Sequence, residues 1–87
     1  MNKTRILPDI FYKDDDTFTI FTQSDRECPY CNRALEYLRN HNLPFVKFAL
    51  KHEDIVELAD IFEYYTVPVI FKGKDFVGGY TELLKGY

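Results

Sequence analysis

Two cysteines, Cys28 and Cys31, enclose Pro29 and Tyr30. A Cys-x-x-Cys pair can cycle between dithiol and disulfide, or it can supply half of a metal site. In thiol–disulfide exchange the nucleophile is the thiolate, and an unperturbed thiol with a pKa of ~8.5 is only about 3% ionised at neutral pH. Something must therefore favour the anion. Pro29 suits the first position of a helix, which places Cys28 at its mouth, where unpaired N–H groups and the helix dipole attract negative charge. Arg26 and nearby lysines add to this. Cys31 lies one turn further in, on the face of Ala34, Leu35 and Leu38, and should be less exposed. The expectation is an attacking Cys28 and a resolving Cys31. A zinc site would need two more ligands, and only His41 and His52 are on offer. Nine residues separate Cys31 from His41 and ten separate His41 from His52, which fits no common finger spacing, so no metal is expected. A purely structural bond between cysteines this close would close a tiny loop and add little chain-entropy stabilisation.

Two further segments carry potential chemistry. In Thr66-Val67-Pro68, a proline at a strand entrance cannot donate to the ladder, and a cis bond there would leave the Val67 backbone free to pair with an extended substrate. Taken alone, an ordinary strand-entry proline explains it equally well. In Gly78-Gly79-Tyr80-Thr81-Glu82, the glycines permit close backbone approach, and the helix start that follows suits a carboxylate. The plain alternative is a turn before a helix capped by Thr81.

The elements that must position these residues follow from periodicity. Thr17 to Thr22 (T-F-T-I-F-T) reads as a strand and Gln23 to Glu27 as a polar loop. A helix runs from Pro29 to about Arg39 and stops near Asn40-His41-Asn42. Pro44 to Leu50 is a second strand. Ile55, Leu58, Ala59 and Phe62 at i, i+3, i+4, i+7 make His52 to Tyr64 an amphipathic helix. Val67 to Phe71 and Asp75 to Val77 form a hairpin across Gly73, and Tyr80 to Tyr87 closes the chain as a short helix. The first two strands, joined by a helix, should be parallel and right-handed in their crossover. This is an α/β fold, a four-stranded mixed sheet flanked by three helices. Residues 1–16 stand apart as an N-terminal extension. Ile6, Leu7, Ile10, Phe11 and Tyr12 favour an extra strand or turn packed on the domain, and Asp14-Asp15-Asp16 a solvated turn.

The 87 residues fit one folded unit, with 46% hydrophobic and 29% charged residues. The formal charge of -3 and the scattered Lys and Arg argue against nucleic-acid binding. No apolar run approaches the ~20 residues of a membrane span. Met1 to Tyr12 lacks the features of a secretory signal, so a cytoplasmic chain is expected.

Taken as a set, the three segments resemble the glutaredoxin family. Cys28-Pro29-Tyr30-Cys31 is like its dithiol motif, Thr66-Val67-Pro68 like its cis-proline segment, and Val77-Gly78-Gly79-Tyr80-Thr81-Glu82-Leu83 like its glutathione-binding turn. The resemblance covers about residues 17–87 and implies a thioredoxin-like fold with Pro68 cis. It implies a glutathione–disulfide oxidoreductase that reduces protein disulfides and glutathionyl mixed disulfides, with glutathione as co-substrate and no tightly bound cofactor. Cys28 would be the nucleophile and Cys31 the resolving thiol. Val67 and Pro68 would meet the cysteinyl backbone of glutathione, Gly79, Tyr80 and Thr81 its γ-glutamyl end, and Tyr30 would line the groove. The family usually has a lysine three residues before the first cysteine. Here Asp25 stands there, and Arg26 is assigned its role. The usual basic or Gln residue shortly before Thr66 is replaced by Glu63, Tyr64 and Tyr65. Disulfide-containing proteins, ribonucleotide reductase among them, are the expected partners of a monomer. The rival readings are a thioredoxin-like redoxin served by thioredoxin reductase, and a non-enzymatic iron–sulfur or metal-binding module.

Overall fold

The computed structural model describes residues 6–87, and the first five residues of the expected extension lie outside them. The elements run β1 (Phe18–Gln23), α1 (Pro29–Asn40), β2 (Phe45–Leu50), α2 (His52–Phe62), β3 (Val69–Lys72), β4 (Asp75–Gly78) and α3 (Tyr80–Gly86). The sheet order is β2-β1-β3-β4. β1 pairs parallel with β2 and antiparallel with β3, and β3 pairs antiparallel with β4. The expected four-stranded mixed sheet with three helices is present.

Alternation along the two central strands divides the apolar residues between two cores. Phe18 and Ile20 of β1 and Ile70 of β3 face Ala34, Leu35 and Leu38 of α1 and Leu83 of α3. Phe21 of β1 and Val69 and Phe71 of β3 face the other way, against Phe62 of α2 and Leu7. The second core is largely aromatic. Phe11 meets the rings of Phe21 and Phe48, each with centroids 5.1 Å away, and Phe71 meets Phe62 at 4.9 Å and Phe76 at 5.5 Å.

Leu7 and Phe11 thus bring the segment before β1 into the core. Ile6 makes an antiparallel bridge with Asp75, and the Leu7 N–H donates to the Lys74 carbonyl at 3.0 Å. Turns at Pro8 and Asp9 carry the chain to Phe11 and Tyr12. Asp14 Oδ1 accepts from the Asp16 N–H at 3.1 Å and the Thr17 hydroxyl at 2.7 Å, so the acidic run forms a self-capped turn before β1. Gly73, at φ +57°, lies where a Cβ would come within 3.0 Å of the Asp15 backbone. Its N–H donates to Thr17 O, locking the β3–β4 turn to the start of β1.

The element ends differ from expectation for local reasons. β1 starts at Phe18 because Thr17 serves the Asp14 turn. β3 starts at Val69, and the cis Val67-Pro68 peptide lies outside the ladder. α1 ends with Asn42 left-handed at φ 53° and the Leu43 N–H on Leu38 O. α2 stops at Phe62, two residues before the expected Tyr64, because Glu63 turns left-handed at φ 54° and the Tyr64 N–H bonds Ala59 O.

Leu7→Ala should cost about 2–5 kcal/mol through the cavity it opens. Urea denaturation should show a lower midpoint with the slope unchanged. An unchanged midpoint would place Leu7 outside the cooperative core.

Candidate active site

β1 ends at Gln23, and the loop that follows delivers Cys28 to the start of α1. Cys28 is the N-cap and Pro29 the first helical residue, so the proline's missing N–H is one that the helix would not use. The Cys31 N–H points at Cys28 Sγ, 3.3 Å away. In the reduced protein that donor and the helix dipole favour the thiolate. The two cysteines are joined as a disulfide. Cys28 is half-buried whereas Cys31 is 2% exposed, so an incoming sulfur reaches Cys28 first.

Of the residues assigned to substrate, Tyr30, Val67, Pro68, Gly79, Tyr80 and Thr81 line one cleft of about 240 Å³. Arg26 does not join them. It is exposed and lines a different opening with Cys28, Cys31 and Lys47, because it sits in the loop before α1. The position that carries lysine in the family is used structurally. Asp25 Oδ1 accepts from Gln23 Nε2 at 3.0 Å and its Oδ2 from the His52 N–H at 3.2 Å, which ties the loop before Cys28 to the first turn of α2. The Gln23 bond, then the His52 N–H, hold the Asp25 carboxyl below its ordinary range.

Tyr64 and Glu82 also wall the cleft, though neither was assigned a role from sequence. Glu82 Oε1 accepts from the Gly79 N–H at 2.8 Å and from the Tyr64 hydroxyl at 3.0 Å. The cap contact at α3 is therefore made by Glu82 and not by Thr81, and the Gly79-x-x-Glu82 spacing was its available signal. Tyr64 had no such signal, since its ring contact with Phe76 depends on where α2 stops. A Cβ on Gly79 would come within 2.6 Å of the Tyr64 hydroxyl, so a larger residue there would have to displace that hydroxyl. Across the cleft Tyr30 and Tyr80 face each other with centroids 6.1 Å apart, and the Arg33 guanidinium stands 5.4 Å from the Tyr30 ring.

The Gly79 N–H, then the Tyr64 hydroxyl, hold the Glu82 carboxyl below its ordinary range. A depressed folded-state pKa gives stability that is present above the unfolded value and lost as pH falls through the folded one. Glu82→Gln should therefore be less stable than the parent near neutral pH, and the gap should close below about pH 4. Urea midpoints measured across that range check this, and a gap independent of pH would refute it.

The sequence profile of the glutaredoxin family matches residues 18–77. A probable glutaredoxin of Acanthamoeba polyphaga mimivirus is 33% identical over 93 residues, covering 92% of this chain and 86% of that one. The crystal structure of glutaredoxin 1 from Francisella tularensis, complexed with cacodylate, superposes with a TM-score of 0.70 at 28% identity, covering 79% of this chain and 88% of that one. A buckwheat glutaredoxin–glutathione complex shares the fold at a TM-score of 0.67 and 20% identity, over 78% of this chain and 64% of that one. The profile match takes in both cysteines, the cis-proline segment, β1 to β3 and β4 as far as Val77, and on that footing the chain belongs to the glutaredoxin family, whose chemistry is thiol–disulfide exchange.

Proposed function

We propose that the chain is a glutathione-dependent oxidoreductase acting on protein disulfides and glutathionyl mixed disulfides. The observation that carries this is the convergence of Tyr30, Val67, Gly79, Tyr80 and Thr81 on one cleft, to which Tyr30 links the start of α1 and its half-buried N-cap Cys28. The glutathione complex of the buckwheat protein, which shares the fold, adds support. The Cys28 thiolate attacks a substrate disulfide, forming a mixed disulfide and expelling one substrate thiolate. Cys31 then attacks Cys28 Sγ, releasing the second substrate thiol and leaving the Cys28–Cys31 bond. One glutathione opens that bond to give glutathionylated Cys28, and a second removes the glutathionyl group as glutathione disulfide. On a glutathionyl mixed disulfide, Cys28 takes the glutathionyl sulfur directly and needs only one further glutathione.

On this reading glutathione is a co-substrate and the working unit is a cytoplasmic monomer. Ribonucleotide reductase is among the disulfide proteins it would serve. Residues 17–87 form the redox domain and 1–16 an extension that lends it Leu7 and Phe11. Among the described residues no helix is long and apolar enough to cross a membrane. A thioredoxin-like redoxin is the second reading, favoured by a cleft with no Lys or Arg among its lining residues.

Turnover of a glutathionyl mixed disulfide coupled to glutathione and its reductase is the direct test. Turnover with thioredoxin reductase alone would select the second reading. Cys28→Ser should abolish activity on every substrate. Cys31→Ser should keep activity on mixed disulfides and lose most of it on protein disulfides, and equal loss on both would overturn the division of roles.

A further inference from the structure

The turn that enters α3 is built around one carboxylate. Gly78 stands at φ +121°, where a Cβ would come within 2.9 Å of Cγ and Oε1 of Glu82. The Gly79 N–H donates to the same Oε1 at 2.8 Å. The two glycines thus let the chain fold closely over the Glu82 side chain. A donor from a different element completes the arrangement: the Tyr64 hydroxyl, 18 residues earlier in the chain, gives its hydrogen to Oε1 at 3.0 Å.

Tyr64 reaches this point because of how α2 ends. Glu63 turns left-handed at φ 54°, and the Tyr64 N–H returns to Ala59 O. The ring then packs on the aromatic core, edge-on to Phe76 of β4 with centroids 5.2 Å apart, while the residue also lines the cleft. A hydroxyl carried on an anchored ring therefore ties the turn before α3 to the end of α2. Cys28 lines a separate opening, so a change at this clasp alters the wall of the cleft and leaves the sulfurs alone.

We propose that Tyr64 is a positioning residue for capture of the glutathionyl substrate: its hydroxyl holds Glu82 on the Gly79 N–H and so keeps the cleft wall of residues 79–82 in its receiving shape. This rests on the reading above, in which that cleft takes the glutathionyl group. Tyr64 acts through Glu82 and does not touch the reacting sulfurs. Without the hydroxyl the carboxylate keeps only its bond within the turn, and the wall must be ordered when substrate arrives. A wall ordered beforehand spares the substrate that cost. The loss is therefore one of binding, felt alike before and in the transition state, which raises KM and leaves kcat in place.

The test is turnover of a glutathionyl peptide by the full chain with glutathione and its reductase, for the parent, Tyr64→Phe, Glu82→Ala and the double variant. Rates are divided by the rate at which dithiothreitol opens the Cys28–Cys31 bond of the same protein, which removes any change in cysteine reactivity. Tyr64→Phe keeps the ring and loses only the hydroxyl. It should raise KM for the peptide about fivefold, the scale of one hydrogen bond, with kcat little changed. In the Glu82→Ala background the same substitution should add less than about twofold, since the carboxylate it holds is gone. An unchanged KM, a fall in kcat as large as the rise in KM, or the same loss with Glu82 absent would overturn the proposal while leaving the glutathione reading standing. So would a Tyr64→Phe chain that fails to fold, which would make the hydroxyl a support of the fold. No turnover of the peptide by the parent chain would overturn the glutathione reading and the proposal with it.

Discussion

β1 is hydrogen-bonded along both edges, parallel to β2 on one side and antiparallel to β3 on the other. Its side chains also feed both cores, Phe18 and Ile20 toward α1 and α3, Phe21 toward α2. A strand held in this way cannot slip by one residue, because a slip would turn every apolar side chain to the wrong face. The fixed strand sets where Gln23 ends, and so where the loop releases the chain into α1. The contact between the Cys31 N–H and Cys28 Sγ is local to the first turn of α1, and the strand decides where in the molecule that turn stands.

The rest of the site is arranged by side chains that hold backbone. Asp25 binds the loop before Cys28 to the start of α2, and Glu82 binds the turn before α3 to Tyr64. Both are carboxylates accepting from backbone N–H groups, a strong class of hydrogen bond. The cleft is walled by Glu82 and by the rings of Tyr30, Tyr64 and Tyr80, with Arg33 as a cation on the Tyr30 ring. Where the family has a lysine before its first cysteine, this chain has a residue that braces two elements together.

The order of elements, the two-sided sheet and the cysteine helix were legible because they rest on strong local signals: alternation in Thr17 to Thr22, the 3.6-residue stripe of α2, and Pro29 at a helix start. The cleft residues Val67, Gly79 and Tyr80 were legible from turn and proline chemistry together with family resemblance. What was not legible depended on tertiary position. Arg26 shares an opening with Cys28 and Lys47, separate from the cleft of Val67 and Tyr80, and that division was not visible in the sequence. Glu63 has no side-chain feature that announces a left-handed residue, so the end of α2, and with it Tyr64, was displaced. Asp25 looked like a lost lysine because its partner, the His52 N–H, lies 27 residues away.

An exposed strand at the end of a sheet is a template on which another extended chain can add, and folded proteins blunt such edges. In this chain the segment before β1 lies along β4, where Ile6 bridges Asp75 and the Leu7 N–H takes up the Lys74 carbonyl. At the far side of the sheet, β2 carries a charged Lys47 in its middle. Those few residues that fill a corner of the aromatic core therefore also cover part of an open border, discouraging the sheet from growing by edge-to-edge self-association.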